Sequence, residues 1–312
     1  MTGDILGFLF GPLKEIWEFP IFFVEVVIGG LLTGVMYSLV ALGFVLIFKA
    51  SGVFNFAQGA MVLCAALSFV GFQELGAPIW LALILTLATM LLMAMAIERL
   101  VLRPLVNQPA IILFMATIGI TFFIDGLFQT IWGSDIKRMD VGIPKEPMEF
   151  GGVLVNTFDI VAALVAGALV ATLAFFFQST RIGRALRAVA DDHQAAQSVG
   201  IPLRTIWVIV WAVAGLVALV AGIMWGSKLG VQFSLALIAL KALPVLILGG
   251  FTSIPGAIIG GLIIGVGEKV AEVYWAPGIG GGIEDWFAYI LALVFLMFRP
   301  QGLFGEKIIE RV

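Results

Sequence analysis

One cysteine, Cys64, and one histidine, His193, are all that the 312 residues contain of either type. An internal disulfide and a cysteine-only metal site are excluded on that count, and the histidine has no nucleophile at motif spacing. The dipeptide Gly-Lys never occurs, so no GxxxxGK[ST] loop exists to cradle phosphates, and ATP hydrolysis by this chain is not expected. HExxH and GxSxG are absent as well. Charge is scarce: only 12% of residues are Asp, Glu, Lys or Arg, roughly half of the usual share. Catalysis needs convergent polar groups, so no enzymatic role is expected. No cofactor, metal or nucleic-acid partner is assigned to the chain itself.

What the chain has is apolar length. Hydrophobic residues make up 62%, against about 45–50% in soluble domains. Glycine (37) and phenylalanine (26) are abundant, and glycine lets membrane helices approach closely. Runs of about 18 residues or more are long enough to cross a bilayer. Spans are predicted near 21–48, 53–72, 78–98, 110–132, 158–178, 205–226, 233–250, 254–273 and 284–298. The expected fold is an all-α integral membrane protein, a bundle of about 8–10 transmembrane helices in one domain over 1–312. The first span is long enough to be tilted or broken, and Lys49–Gly59 fits a re-entrant turn. Residues 1–20 mix Asp4, Lys14, Glu15 and Glu18 with apolar residues, so no cleavable signal peptide is expected.

Orientation follows from charge. The stretch Arg181–Arg204 holds four arginines, each costing roughly 2.5–3.5 kcal/mol at a bilayer centre, so it must stand in water. The positive-inside rule puts it in the cytoplasm, and alternation then brings Lys49, Arg99, Arg103, Arg299, Lys307 and Arg311 to the same side. Asp135, Asp140, Glu146, Glu149, Glu272, Glu284 and Asp285 fall outside, with the N-terminus outside and the C-terminus inside. Trp17, Trp80, Trp132, Trp275 and Trp286 lie near predicted span ends, where interfacial aromatics are expected. The exterior loop 133–157 is long enough for a turn or short helix, either as a dock for a soluble partner or as a solvated connection.

Polar groups within spans are few. Lys241 has no acid at i±3 or i±4, so it either faces a polar cavity or pairs across helices, with Asp125 and Glu25 as candidates. Asn55 and Gln58 are three apart, which puts them on one face of a helix, lining a polar groove or bonding between helices. Glu268-Lys269 reads as a snorkelling pair at an outer span end. Val45–Phe48 runs into Lys49–Gly59, and Val245–Leu248 into Gly249–Gly256, two similar interrupted spans that suggest an internal repeat.

Within 181–204, Ala185, Leu186 and Val189 form an apolar stripe beside Arg184 and Arg187. Asp191-Asp192 is a plausible start for a second short helix. Gln194 to Val199 then runs to Gly200, with Ile201-Pro202 as the stop. Ala195 and Ala196 are small enough for another surface to approach closely.

The pattern Gln194-Ala195-Ala196-x-x-x-Gly200 resembles the EAA-type loop of ABC importer permeases, with Gln at the usual acidic position. Gly34–Gly43, Phe54–Gly59, Leu248–Gly256 and Arg299–Gly305 are similar to blocks of branched-chain amino-acid permeases of the LivH type, in the same order along nearly the whole chain. The resemblance implies a bacterial inner-membrane permease subunit. It implies a second, related permease as heterodimer partner, two cytoplasmic ABC ATPases that bind ATP and Mg, and a periplasmic substrate-binding protein. Arg184, Arg187, Asp191, Asp192, Gln194, Ala195, Ala196 and Gly200 would then form the ATPase-coupling segment. Branched-chain amino acids are the implied cargo, with urea, amides or small organic acids as alternatives within the family. A self-sufficient carrier or channel, the reading from another class, would place acids at the midplane, and here they are few and mostly terminal.

Overall fold

The computed structural model describes residues 2–105, 108–191 and 193–305. After α1 (Thr2–Glu18), Pro20 in the first turn opens α2 (Pro20–Ser51), an unbroken helix of 32 residues. It ends where Gly52 takes a left-handed φ of 69°, and a turn carries the chain to α3 (Gln58–Glu74). The second span therefore starts five residues later than expected, and the first is unbroken. α4 (Ile79–Ala96) runs on through a π turn, Ile97–Leu102, and a 3-10 turn, Arg103–Leu105. α5 (Ala110–Trp132) follows.

The loop after α5 holds no helix. It forms an antiparallel hairpin of β1 (Pro147–Phe150) and β2 (Val153–Asn156). Gly151 and Gly152, both at positive φ, make the two-residue turn that matches strand twist. Asn156 then caps α6 (Thr157–Ser179) by accepting from the Phe158 N–H at 2.9 Å. The amphipathic α7 (Arg181–Asp191) and the short α8 (His193–Ser198) lead to α9 (Leu203–Leu229). The seventh expected span is broken into a 3-10 turn, Phe233–Leu237, then α10 (Ile238–Lys241) and α11 (Leu243–Gly249). α12 (Ile254–Tyr274) and α13 (Ile283–Phe298) complete the bundle.

Among the described residues six helices are long and apolar enough to cross a membrane: α2, α4 with its continuation to Leu105, α5, α6, α9 and α12. Shorter apolar segments, α3, α13 and the broken stretch 233–249, fill the other three expected places. In their most apolar windows 72% of α2 and 67% of α9 are buried, against 22% of α4 and 28% of α5. The first pair is thus central and the second peripheral.

The centre is set by small residues. Gly30, Gly34 and Ser38 recur every four positions on α2 and meet Gly261 and Gly265 on α12. A Cβ on Gly34 would lie 2.6 Å from Gly261 O, and one on Gly30 2.7 Å from Val266 Cα. Ser38 Oγ lies 2.8 Å from Gly34 O and 3.1 Å from Ile258 O, so its hydroxyl has an acceptor on either helix. Trp132, at the end of α5, packs edge-on to Phe72 with ring centroids 5.3 Å apart.

The α11–α12 junction is equally tight. Gly249 and Gly256 touch backbone to backbone, and Ser253 caps α12 by accepting from Gly256 N–H at 3.0 Å. Leu303 N–H donates to Leu248 O at 2.8 Å and Phe304 N–H to Gly249 O at 3.2 Å, which satisfies end carbonyls of α11. The α2–α3 break is its neighbour: Lys49 Nζ donates to Thr252 O at 3.4 Å, and the Phe48 and Phe251 rings are 5.4 Å apart. The two interrupted spans matched in sequence therefore break side by side.

Gly30→Ala should lower the thermal midpoint of the purified protein by several degrees, since overpacking costs about 1–3 kcal/mol. Gly29→Ala, next along the chain with nothing within 4 Å of its Cβ, should not. Equal midpoints in a detergent melting assay would remove the seam from its central place.

Candidate functional site

Two regions carry the polar chemistry, at opposite ends of the bundle. At one end, α2, α9, α10, α12 and α13 enclose a cavity of about 380 Å³. Tyr37 comes from the middle of α2 and stacks on Trp225 of α9, with centroids 5.1 Å apart. Its hydroxyl donates to Glu268 Oε1 at 2.9 Å. Lys241 Nζ lies 3.1 Å from Asp285, 3.7 Å from Glu284 and 3.8 Å from Glu268. Beside them Lys228 pairs with Asp159 at 2.7 Å and sits over the Trp225 ring.

Lys241 is thus satisfied across helices, but not by the residues expected. Asp125 keeps a buried Oδ1 with no hydrogen-bond partner among the described residues. Glu25 Oε2 accepts from the Leu154 N–H of the hairpin at 3.2 Å. Glu268 does not snorkel: it is 5% exposed and held by Tyr37, while Lys269 alone reaches out. Asn55 and Gln58 do not share a helical face, because α3 begins only at Gln58. Asn55 Oδ1 instead accepts from Ala57 N–H at 3.1 Å, closing the turn before α3, and Gln58 packs its buried amide against Gly43. Burial of both is complete, so they build the core near the α2–α3 break.

At the other end, α7 and α8 lie across the bundle. Leu186, Val189 and Ala196 are buried at 2%, 0% and 2% exposure and fix the pair to the helices. Thr180 links α6 to α7: its Oγ1 donates to Phe176 O at 2.7 Å and accepts from Gly183 N–H at 3.1 Å. Gly183 is required there, since a Cβ would collide with the Phe177 carbonyl. Arg187 turns back, with Nη1 donating to Phe177 O at 2.8 Å and Nη2 to Gln178 O at 3.4 Å; Arg184 Nη1 reaches Ser179 O at 3.5 Å. Both guanidinium groups therefore serve the carbonyl end of α6, where positive charge is favoured.

α8 ends by donation from Ile201 N–H to Ala196 O at 3.0 Å, with Gly200 at φ 86°. Ala195, Gln197, Ser198, Val199 and Gly200 face out, and Val199 is 75% exposed. Of the expected coupling residues, Ala195 and Gly200 are on this outer rim and Ala196 is beneath it. Asp192 lies outside the described residues, as do the side chains of Asp191 and Gln194. Between α7, Lys49 and the α11–α12 junction is a cleft of about 240 Å³.

Tyr37, Trp225 and Lys228 were not singled out by sequence reasoning. One signal was available for Tyr37: it is among only three tyrosines and sits inside an apolar span.

A family model described as branched-chain amino acid transport system / permease component matches residues 26–298. The high-affinity branched-chain amino acid transport system permease protein BraD of Pseudomonas aeruginosa is 27% identical over 305 residues, covering 93% of this chain and 98% of its own. LivH of Salmonella typhimurium, with the same description, is 28% identical over 313 residues, covering 94% and 98%. Among solved structures, PsaBC from Streptococcus pneumoniae in complex with Fab is similar at a TM-score of 0.50 and 13% identity, covering 92% and 94%. That likeness concerns the fold alone.

Leu186→Asp should undock α7, because a carboxylate cannot be buried in that contact without a partner. Limited trypsin digestion in detergent should then cut at Arg181, Arg184 or Arg187 about tenfold faster than in the wild type, in line with a larger open population. Identical digestion rates would show that the stripe does not hold the helix.

Proposed function

The chain belongs to the family of branched-chain amino-acid transport permeases, and from that premise we propose that it is one membrane subunit of an ATP-driven importer. The cargo is a branched-chain, hydrophobic amino acid, moved across the bacterial inner membrane by alternating access. In this reading a second, related permease completes the pathway, two cytoplasmic ABC ATPases bind ATP and Mg, and a periplasmic binding protein delivers the cargo. The α7–α8 end faces the cytoplasm and the Lys241–Glu268 end faces the periplasm, with the N-terminus outside and the C-terminus inside.

The observation that carries the proposal is the α7–α8 pair. It is clamped to the bundle by Leu186, Val189 and Ala196, and presents a rim of small residues, Ala195, Ser198 and Gly200, with Val199 standing proud. Such a rim suits docking into a groove of another protein, and the clamp lets a push on α8 reach α6 and α9. Arg184 and Arg187 are engaged with α6, so docking rests on the rim. The chain's lack of a phosphate-cradling loop agrees with energy entering from partner subunits.

In proteoliposomes, leucine uptake should require the partner permease, the ATPases, the binding protein and ATP. Uptake by this chain alone without ATP would overturn the reading. Gly200→Pro cannot adopt the positive φ and should cut uptake about tenfold while ATP hydrolysis persists. A thiol-reactive probe should label Ser198→Cys only from the cytoplasmic side.

A further inference from the structure

The cavity around Lys241 carries both signs of charge. Three carboxylates, Glu268, Glu284 and Asp285, gather around the ammonium of Lys241, while Lys228 is paired with Asp159 and Lys269 stands apart on the wall. Glu268 is 5% exposed, lines the cavity, and its Oε2 has no hydrogen-bond partner among the described residues. A buried carboxylate oxygen without a donor is costly, and a ligand ammonium is the group that would satisfy it. On the same wall stands the exposed Lys269, one residue along α12. Between the charges the lining is apolar and aromatic, from the stacked Tyr37 and Trp225 to Leu237 and Ile238.

We infer that this cavity is a binding site in the permease itself for a zwitterionic α-amino acid with an apolar side chain. The ammonium is received by Glu268 Oε2 and the neighbouring Glu284, the carboxylate by Lys269, and the side chain by the Tyr37–Trp225 wall. The seam between α2 and α12 positions these groups, since Tyr37 and Glu268 flank it. A volume of about 380 Å³ falls within the usual range for small-molecule sites, roughly 300–1,000 Å³. The inference rests on the importer reading for the identity of the cargo, and it adds that selectivity is exercised inside the membrane subunit as well as before it.

The test uses the full chain, captured with whatever subunits accompany it from host membranes and placed in lipid nanodiscs without binding protein. Radiolabelled leucine should bind saturably. 3-Methylbutylamine, which lacks the carboxylate, and 4-methylpentanoate, which lacks the ammonium, should compete at least tenfold more weakly. Glu268→Gln should weaken leucine about tenfold and remove its advantage over 4-methylpentanoate. Lys269→Gln, at an exposed position that the fold does not need, should remove the advantage over 3-methylbutylamine. A purely structural role for either residue would lower binding without changing these preferences. Absent leucine binding, or preferences unchanged in both variants, would overturn the site. If those results accompany ATP-dependent leucine uptake by the wild-type complex, the importer reading stands and only the site falls. Loss of uptake with binding intact would do the reverse.

Discussion

Four glycines, Gly30, Gly34, Gly261 and Gly265, let α2 and α12 touch backbone to backbone, and much of the remaining geometry follows from that contact. In lipid, apolar side chains gain little by leaving one hydrocarbon environment for another, so close packing and hydrogen bonds must supply the association. Glycine removes the side chains that would hold the helices apart, and Ser38 adds a hydroxyl with acceptors on both. The pairing is antiparallel: Gly30 meets Gly265, Gly34 meets Gly261, Ser38 reaches Ile258 O, and further along Lys49 reaches Thr252 O, while the long Tyr37 side chain extends back to Glu268. Twelve residues of α2 separate Tyr37 from Lys49, about 18 Å at 1.5 Å per residue. One seam therefore sets the relative position of both polar ends.

The two polar regions, around α7 and around Lys241, hold their cations differently. Around α7 the basic groups turn inward to carbonyls left open at helix ends: Arg187 to the end of α6, Lys49 to Thr252 O beside the α11–α12 turn. At the opposite end charges pair with one another, as in Lys228–Asp159, Lys137–Glu74 and the Lys241 cluster. Bonds from cations to helix carbonyls fix where the chain turns. Carboxylate–ammonium clusters leave spare valence, and Glu268 Oε2 is the instance that is buried.

Much of the fold was legible because long apolar runs admit few alternatives. The helices over 110–132, 157–179, 203–229 and 254–274 follow their hydropathy closely. The failures have local causes. Residues 53–57 are as apolar as a helix but form the turn after Gly52, and 233–249 is largely apolar yet broken, because burial between neighbouring helices tolerates irregular backbone that hydropathy cannot detect. The hairpin hid in a polar loop, although Gly151-Gly152 between two short apolar-alternating stretches is a hairpin signal.

The site was less legible, and the reason is sequence separation. Helical spacing rules see only three or four residues away, so Lys241 looked unpaired while its acids lie at 268, 284 and 285. By the same local logic Glu268 looked like half of a snorkelling pair with Lys269, whereas its true partner, Tyr37, is 231 positions distant. Asn55 and Gln58 were misjudged for the converse reason: a helix was assumed to run through them, and the asparagine instead closes the turn that precedes it. The small-residue rim of α8 was easier to read, because Gly200 with Ile201-Pro202 is a local stop signal and needs no distant partner. What sequence alone could not weigh was the side of α8 that matters. Two adjacent alanines look equivalent in the chain, yet Ala196 is the anchor and Ala195 the exposed face, a distinction created only by where Leu186 and Val189 have already pinned the preceding helix.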